Sequence, residues 1–370
     1  MAGIYIHVPF CKSRCIYCDF YSTTFGHEWM AMYVSALERE MAARSAELNQ
    51  SCIETLYLGG GTPSQLPLDL LQSIFRVISQ HACFSKNAEV TIEVNPDDVT
   101  LPWLDGLRQT PVNRISMGVQ TFDDGLLRFL QRRHNGAQAC NAISNCLKFG
   151  YTNISIDLIY GLPKQTMALW QHDLDVALSE PITHLSAYSL SFESGTKLAH
   201  MLEQGDVMEA DEELSLQMYL TLLESSRQAG FEHYEISNFC RPGFHSRHNS
   251  SYWQQIPYYG FGPGAHSYDG YRTRRWNDCD LIAYISSKGD VPHSGETLSD
   301  KELYDEFVMT GLRTRNGIEL CKLSSEDAQY CVEQAQSHLK AGRMVYEDGK
   351  LRISDAGIFV SNDIISDLMR

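Results

Sequence analysis

The sequence predicts an α/β protein: an incomplete (β/α)6 TIM-like barrel followed by a small C-terminal α+β domain that resembles a winged helix. Short apolar runs alternate about six times with longer helical stretches, the pattern of a parallel sheet with crossover helices. Polar and glycine-rich segments follow those runs, where the loops of a barrel carry its chemistry. An open doubly wound sheet would place its site at the same strand ends, so the loops alone do not separate the two folds.

Six strands of the barrel are predicted from β-rich runs, at 4–8, 54–58, 89–94, 113–119, 153–159 and 184–190. Segments rich in Leu, Ala, Met and Glu predict helices between them, at 30–47, 67–80, 136–149 and 168–179. A helix at 209–229 and a short strand at 231–236 follow. Six repeats instead of eight would leave a barrel with a lateral opening.

The C-terminal stretch "GRMVYEDGKLRISDAGIFVSNDIISDLM" predicts a β-hairpin that turns at "EDGK", and then a final helix. A helical segment precedes it, as in a winged helix, but it has no basic recognition surface. We therefore interpret it as a packing or docking domain. The predicted division is a partial barrel at 1–236, an aromatic and basic extension at 237–298, and the C-terminal domain at 299–370.

Composition and charge exclude several classes of protein. The formal net charge of −16 argues against a nucleic-acid partner, because binding to a duplex depends on Lys and Arg neutralising phosphates. No apolar run approaches the ~18 residues of a membrane span, although peripheral membrane contact stays open. The N-terminus lacks the features of a secretory signal. Eleven scattered cysteines disfavour a disulfide framework, and together these features predict a cytoplasmic protein.

A loop directly after the first predicted strand, "HVPFCKSRCIYCDF", carries Cys11, Cys15 and Cys18. Four thiolates saturate a [4Fe–4S] cluster, so three would leave one iron open to a substrate or cofactor. A zinc site is the alternative. Zinc sites favour paired Cys-x2-Cys or Cys/His sets, and the chain has no second pair. The loop therefore favours an iron–sulfur cluster with one open position.

The spacing Cys-x3-Cys-x2-Cys, with Tyr17 before the last cysteine, resembles the radical S-adenosylmethionine (SAM) superfamily. The glycines of "GGGTP", residues 59–63, follow the second predicted strand, where glycine lets the backbone approach a ligand closely. The resemblance implies a [4Fe–4S] cluster on the three cysteines. It also implies that SAM chelates the fourth iron through its amino and carboxylate groups.

The resemblance extends over nearly the whole chain. "LYLGGGTPS", "IEVNP", "RISMGVQTF", "DLIYGLP" and "AHS" are similar, in order, to the oxygen-independent coproporphyrinogen III oxidase branch and its HemW-type relatives. Carboxylates at strand ends can accept bonds from amino or ribose hydroxyl groups, and an arginine can bind a carboxylate. Carried over by position, the implied SAM contacts are Tyr5, Gly60, Gly61, Thr62, Glu93, Gln120, Arg132 and Asp157.

Two departures separate this chain from the decarboxylases of that branch. Those enzymes typically have a fourth cysteine two residues after the third, where this sequence has Phe20, and an N-terminal extension, where only ten residues precede Cys11. The remaining pattern resembles the HemW-type haem chaperones. In "RHNSSYW", His248-Asn249-x-x-Tyr252-Trp253 matches their signature for haem binding, which makes these four residues the candidate haem contacts.

The residues around this signature also suit a haem. Residues 239–276 contain ten aromatic side chains, and five arginines against one aspartate, in an otherwise acidic chain. Haem is a flat apolar disc with two propionates, which aromatic rings and guanidinium groups can bind. The alternative is that the tyrosines pack the barrel opening and the arginines pair with the acidic body. His245 and His266 are further candidate iron ligands.

The resemblance thus implies a haem chaperone that carries a [4Fe–4S] cluster and SAM, binds haem and transfers it to acceptor haemoproteins, with respiratory-chain proteins as one candidate class. The first alternative is an oxygen-independent coproporphyrinogen III oxidase, which forms protoporphyrinogen IX by oxidative decarboxylation. The second is a radical SAM enzyme acting on an unrelated substrate. Whether the protein is an enzyme stays open at this point.

Overall fold

The computed structural model describes residues 2–48 and 52–370. Six parallel strands form the centre of a large sheet, and each pairs with the next one along the chain. They are β1 (Ala2–Val8), β2 (Cys52–Gly60), β3 (Cys83–Val94), β4 (Arg114–Gln120), β5 (Ile154–Tyr160) and β6 (His184–Ser189). All six coincide with the predicted strands, and β3 is the one that begins well before its predicted start.

The helices between these strands also lie where the sequence predicts them. The predicted helix at 30–47 is divided at Arg44 into two, and three short helices were not predicted. The set is α1 (His27–Ala43), α2 (Ser45–Leu48), α3 (Leu68–His81), α4 (Leu101–Leu107), α5 (Asp124–Phe129), α6 (Gly136–Lys148), α7 (Met167–Ser179), α8 (Lys197–Glu203) and α9 (Glu212–Gln228). The unpredicted ones are α4, α5 and α8.

The parallel strands have one apolar and one polar face. On β1, Ile4 and Ile6 are fully buried in the hydrophobic core, whereas Tyr5 and His7 alternate with them and so point to the other side of the sheet. The same alternation continues across β2 to β6, where Thr, Glu, Arg, Ser, Asp and His residues interrupt the aliphatic ones. The inner face of the sheet is therefore polar and suited to a ligand.

The sheet extends beyond both ends of this parallel centre. The added strands are β7 (Glu232–Glu235), β8 (Asn238–Cys240), β9 (Tyr258–Phe261), β10 (His266–Tyr268), β11 (Thr273–Asn277) and β12 (His293–Thr297), with the helices α10 (Arg247–Trp253) and α11 (Leu281–Ser286). The order is β12-β11-β10-β9-β1-β2-β3-β4-β5-β6-β8-β7, so the terminal strands do not pair and the barrel stays incomplete, as predicted. The sequence predicted β7 but not β8 to β12.

The C-terminal segment folds as a small α+β unit. It contains α12 (Asp300–Leu312), β13 (Ile318–Glu319), α13 (Ser325–Lys340), β14 (Met344–Glu347), β15 (Lys350–Ile353) and α14 (Ser361–Leu368). The predicted hairpin turns at Asp348 and Gly349, whose φ angles of 50° and 74° are typical of a two-residue type I′ turn. Among the helices of residues 2–48 and 52–370, none combines the length and hydropathy that a bilayer crossing requires.

Candidate functional site

The three-cysteine loop leaves the carboxyl end of β1 and returns to it. At its base, the backbone N–H of Cys11 donates to the carbonyl of Thr23 (2.9 Å) and that of Thr23 donates to Pro9 (2.6 Å). The thiols of Cys11, Cys15 and Cys18 are free and half-buried. They are therefore held on a closed loop at the end of the barrel where chemistry is expected.

The donor set of this loop fits a cluster better than a single ion. Ligands of one zinc ion, each at about 2.3 Å, lie roughly 4 Å apart. In residues 2–48 and 52–370, the one group of three His, Cys, Asp or Glu ligand atoms that all lie within 4.8 Å of one another is Glu232, Cys240 and His245. The three sulfur atoms of the loop do not form such a group, so at least one pair of them lies farther apart than two ligands of one zinc ion.

Two hydrogen-bond donors point at sulfur atoms of the loop. The hydroxyl of Thr62 lies 3.4 Å from Cys11 Sγ, and Arg132 Nη1 lies 3.3 Å from Cys15 Sγ. Burial raises the pKa of Cys18 to about 11, so this thiol stays protonated unless a metal holds it as the thiolate. Donors to sulfur and metal-dependent deprotonation both suit an iron–sulfur cluster.

The glycine-rich turn after β2 packs against the cysteine loop. Gly61 N–H donates to the carbonyl of Val8 (2.9 Å) and Thr62 N–H to that of Phe10 (2.8 Å). A Cβ on Gly61 would lie 2.7 Å from Val8 O, and one on Gly60, at φ +104°, would lie 2.5 Å from the ring of His7. Glycine is thus required by close packing, and the predicted residues 60–62 lie beside the predicted cluster ligands.

Two half-buried carboxylates, Glu93 and Asp157, lie on the polar face below this turn. Glu93 accepts hydrogen bonds from the hydroxyl of Tyr57 (2.8 Å) and the N–H of Gly60 (3.0 Å). Burial raises the pKa of Glu93 to about 7 and that of Asp157 to about 6, and Arg114 partly opposes both shifts. Both carboxylates can therefore bind a cationic or hydrogen-bond-donating ligand, which would favour their ionised forms.

Gln120 and Arg132 meet where β4 ends. Gln120 has a φ of 71°, a left-handed conformation that costs a non-glycine residue about 1 kcal/mol and is frequent at functional sites. Arg132 donates to Asn95 Oδ1 (2.6 Å), to the carbonyl of Gly118 and to Cys15, while its buried Nε has no partner among the described residues. This cation therefore joins the cluster loop to the ends of β3 and β4.

Tyr5 connects this region to the predicted haem signature. Its hydroxyl lies 3.1 Å from His7 Nδ1. Its ring stacks with Tyr57 and with His248, at centroid distances of 6.2 and 6.4 Å, and Tyr57 stacks with His248 at 5.2 Å. The predicted SAM contact Tyr5 and the predicted haem contact His248 thus lie in one aromatic group inside the barrel.

His248 is buried, with 1% of its surface exposed. Its Nδ1 lies 2.8 Å from the hydroxyl of Thr55 and its Nε2 lies 2.9 Å from that of Tyr252. Glu89 fixes the start of α10 by accepting the N–H groups of Arg247 (3.1 Å) and His248 (3.0 Å). Burial lowers the pKa of His248 to about 3, so the ring is neutral and both of its nitrogens already have partners.

A cavity of about 550 Å³ opens beside the cysteine loop, within the usual range for small-molecule sites. The predicted residues Tyr5, Tyr252 and Trp253 line it, whereas His248 lies behind Tyr252, and Asn249 is half-buried on the same helix. The wall of the cavity comes from the cysteine loop, α10, β9 to β11 and α12. The other lining residues are His7, Asp19, Phe20, Tyr21, Gln255, Tyr258, Gly264, His266, Tyr268, Arg274, Cys279, Glu306, Met309 and Thr310.

Sequence reasoning missed several of these residues. His7 could have been found from the alternation on β1, because Tyr5 and His7 interrupt Ile4, Ile6 and Val8. Glu306, Met309 and Thr310 come from α12, and nothing in that helical segment indicated a cavity wall. Their position depends on how the C-terminal unit packs, which a local pattern does not encode.

Most of the arginines predicted to face a haem have other partners. Arg247 pairs with Glu54 (2.6 Å), Arg272 with Asp300 (2.9 Å), and Arg274 with Glu296 (3.6 Å) and Glu306. Arg241 donates to the carbonyls of Ile182 and Ala229. Of the five, Arg274 lines the cavity. Arg247, Arg272 and Arg274 therefore pair with acidic residues, as the alternative interpretation of this arginine-rich segment predicts.

Comparison of the sequence with known proteins identifies a matching family model and similar haem chaperones. Residues 5–177 match the family model of the radical SAM superfamily. The chain is 32% identical to the haem chaperone HemW of Mycobacterium tuberculosis, over 99% of this chain and 94% of that one. It is 38% identical to the haem chaperone HemW of Synechocystis, over 87% and 80%.

Among solved structures, the coproporphyrinogen III oxidase HemN of Escherichia coli, a radical SAM enzyme, superposes with a TM-score of 0.86. This match has 21% identity and covers 100% of this chain and 90% of that one. At that identity the likeness shows the shared fold and not a shared reaction.

Proposed function

Because this chain belongs to the HemW family of haem chaperones, within the radical SAM superfamily, we propose that it binds a haem and transfers it to acceptor haemoproteins. The cofactors of such a protein are a [4Fe–4S] cluster, SAM and haem. The observation that carries the proposal is the 550 Å³ cavity that Tyr252 and Trp253 of the haem signature line beside the cysteine loop.

Residue roles follow from the donor chemistry. Cys11, Cys15 and Cys18 would hold the cluster as thiolates, with Thr62 and Arg132 donating to two of the sulfurs. The cluster supplies an iron with an open position. No fourth cysteine takes that position in the loop, where Phe20 projects with 62% of its surface exposed.

SAM would lie between the cluster loop and the polar face of the barrel. The backbone of Gly60 and Gly61 provides close approach, while Glu93 and Asp157 provide carboxylates for amino or hydroxyl donors. Gln120 and Arg132 supply polar groups at the end of β4. Tyr5 contributes an aromatic ring at the bottom of this region, next to the cavity.

The haem would occupy the cavity with its apolar faces against aromatic side chains. Trp253 and Tyr252 belong to the predicted signature, and Tyr258 and Tyr268 from β9 and β10 complete the aromatic wall. Arg274 is the cation available to a propionate, in competition with Glu306. His248 and Asn249 would act from α10, with His248 holding Tyr252 by its hydroxyl.

The free cysteines are the state that a reducing compartment maintains, so we place this activity in the cytoplasm. Acceptors are haemoproteins, with those of the respiratory chain as the class to test first. The division of the chain into 1–236, 237–298 and 299–370 remains our proposal for its functional parts, although β8 to β12 of the middle part continue the sheet of the first.

A haem titration tests the proposal. Wild-type protein should bind one haem per chain and release it to the apo form of a b-type cytochrome. Trp253→Ala should weaken binding at least tenfold, because it removes an aromatic wall of the cavity. Tyr346→Ala, at an exposed position in the C-terminal hairpin, is the control and should bind as the wild type does.

The same protein distinguishes the enzymatic alternative. Anaerobic incubation with SAM, a reductant and coproporphyrinogen III should yield no protoporphyrinogen IX. Formation of that product would replace the chaperone proposal by the decarboxylase. Formation of 5′-deoxyadenosine with no porphyrin affinity would instead indicate a radical SAM enzyme that acts on another substrate.

A further inference from the structure

Three histidines lie at or next to the cavity, and they differ in whether a ring nitrogen is available to an iron. His7 uses both nitrogens, since Nδ1 lies 3.1 Å from the hydroxyl of Tyr5 and Nε2 lies 2.8 Å from the carbonyl of Tyr21. His248 also uses both, with Thr55 and Tyr252. Neither ring can bind a metal without losing a buried hydrogen bond.

His266 differs from both. It lines the cavity and is exposed, and neither of its ring nitrogens has a hydrogen-bond partner within residues 2–48 and 52–370. Trp276, its cross-strand neighbour on β11, stacks on the imidazole at a centroid distance of 5.8 Å and an interplanar angle of 21°. The ring is therefore oriented by packing while its nitrogens stay free.

The backbone before His266 directs it to the cavity. Gly262 (φ +98°) and Gly264 (φ +78°) turn the chain from β9, which is parallel to β1, into antiparallel β10. A Cβ on Gly262 would lie 2.5 Å from the carbonyl oxygen of His7, so the turn is pressed against β1. On β10, His266 and Tyr268 share one strand face because residues two apart do so, and both line the cavity.

Two other potential iron ligands in the wall, Cys279 and Tyr268, are less suitable. Burial raises the pKa of the Cys279 thiol and of the Tyr268 phenol, so each would have to lose a proton to bind iron. Burial and Arg274 lower the pKa of His266, which keeps the imidazole neutral at pH 7. A neutral imidazole binds haem iron directly.

We propose that His266 is the axial ligand of the haem iron. In this proposal His248 does not bind the iron but is a positioning residue that orients Tyr252. The inference rests on the haem-binding function proposed above. In this arrangement His248 keeps its bonds to Thr55 and Tyr252, and haem binding does not require α10 to open.

The test compares ferric-haem complexes of four proteins: wild type, His266→Ala, His248→Ala and Tyr252→Phe, by Soret absorption and electron paramagnetic resonance. His266→Ala should lose the imidazole-ligated spectrum and bind haem at least tenfold more weakly, and added imidazole should restore the spectrum. His248→Ala should keep the imidazole-ligated spectrum. Far-ultraviolet circular dichroism checks that each variant is folded.

A double-mutant cycle separates the two roles. The cycle adds the double variant His248→Ala/Tyr252→Phe. If His248 acts through Tyr252, this protein should bind haem no more weakly than whichever single variant, His248→Ala or Tyr252→Phe, binds it more weakly. An imidazole-ligated spectrum that survives in His266→Ala, or is lost in His248→Ala, would overturn the assignment. Absence of haem binding by the wild type would instead refute the proposed function itself, so the two failures are distinguishable.

Discussion

The hydroxyl of Tyr57 donates a 2.8 Å hydrogen bond to the carboxylate of Glu93. Glu93 also accepts the N–H of Gly60, and Tyr57 stacks on His248. The proposed SAM loop and the haem-signature helix are therefore separated by two side chains inside the barrel. Glu93 is the group in this connection whose protonation changes near neutral pH.

Binding of SAM should depend on pH through Glu93. Burial raises the pKa of this carboxyl from its usual value to about 7, so the folded protein keeps the proton at a pH where an unfolded chain has released it. The stabilisation that the protonated Glu93 gives the folded state is fully present below pH ~4.5 and is lost as the pH rises through about 7. A cationic ligand prefers the carboxylate, so the affinity for SAM should rise about tenfold between pH 6 and 8.

Anaerobic calorimetric titration of SAM at several pH values measures this dependence. Glu93→Gln should remove the rise in affinity between pH 6 and 8, while Glu326→Gln, at an exposed position, should retain it. Asp157, whose pKa burial raises to about 6, contributes to the slope at the acidic end. A flat profile for the wild type would show that Glu93 does not bind the cationic part of the ligand.

Substitution of Gly61 should disrupt the glycine turn. A Cβ there would lie 2.7 Å from the carbonyl of Val8 and 2.9 Å from the N–H of Phe10, both backbone atoms that cannot rotate away. Gly61→Ala should reduce SAM affinity more than tenfold and cost about 1–3 kcal/mol of stability. Gly26→Ala is the matched control, because a Cβ at Gly26 has no atom within 4 Å.

SAM titration and thermal unfolding of the two variants decide this prediction. Wild-type affinity in Gly61→Ala would mean that the turn can move without affecting the ligand. An equal loss in Gly26→Ala would show that the effect is not specific to the turn.

The proximity of the cysteine loop and the glycine turn could be predicted from sequence. Each follows a parallel strand, and the carboxyl ends of neighbouring strands lie at the same edge of a sheet. In the structure, the hydrogen bonds from Gly61 to Val8 and from Thr62 to Phe10 join the glycine turn to the cysteine loop. Spacing along the chain was enough because strand order follows chain order in β1 to β6.

The surroundings of His248 could not be predicted in this way. Its partner Thr55 lies 193 residues away along the chain, on β2, which α10 packs against. The motif indicates haem binding, but it does not tell whether its histidine is buried or exposed. Glu54, the partner of Arg247, is equally distant in sequence.

Loss of a cysteine of the loop should remove the cluster. Cys15→Ser leaves two thiolates where three are proposed, too few to hold the cube. Anaerobically purified Cys15→Ser should contain little iron and sulfide, whereas the wild type should contain both and no zinc. Cys321→Ser, an exposed cysteine far along the chain, is the control. Stoichiometric zinc in the wild type would contradict the cluster.

The hydroxyl of Thr62 should tune the reduction potential of that cluster. It is buried, and it lies 3.4 Å from Cys11 Sγ. A hydrogen bond to a ligating sulfur stabilises the reduced cluster, which carries more negative charge. Thr62→Val keeps nearly the same volume but removes the donor. If the bond contributes about 1 kcal/mol, the potential should fall by roughly 40 mV.

Anaerobic redox titration of the cluster absorbance measures this shift. Thr314→Val is a suitable control, because the hydroxyl of Thr314 donates to the carbonyl of Gly311 in the C-terminal unit and not to a sulfur. Iron content must be equal in the two variants, so that a change in potential is not confused with cluster loss. An unchanged potential in fully loaded Thr62→Val would mean that the Thr62 hydroxyl does not donate to the ligating sulfur once the cluster is bound.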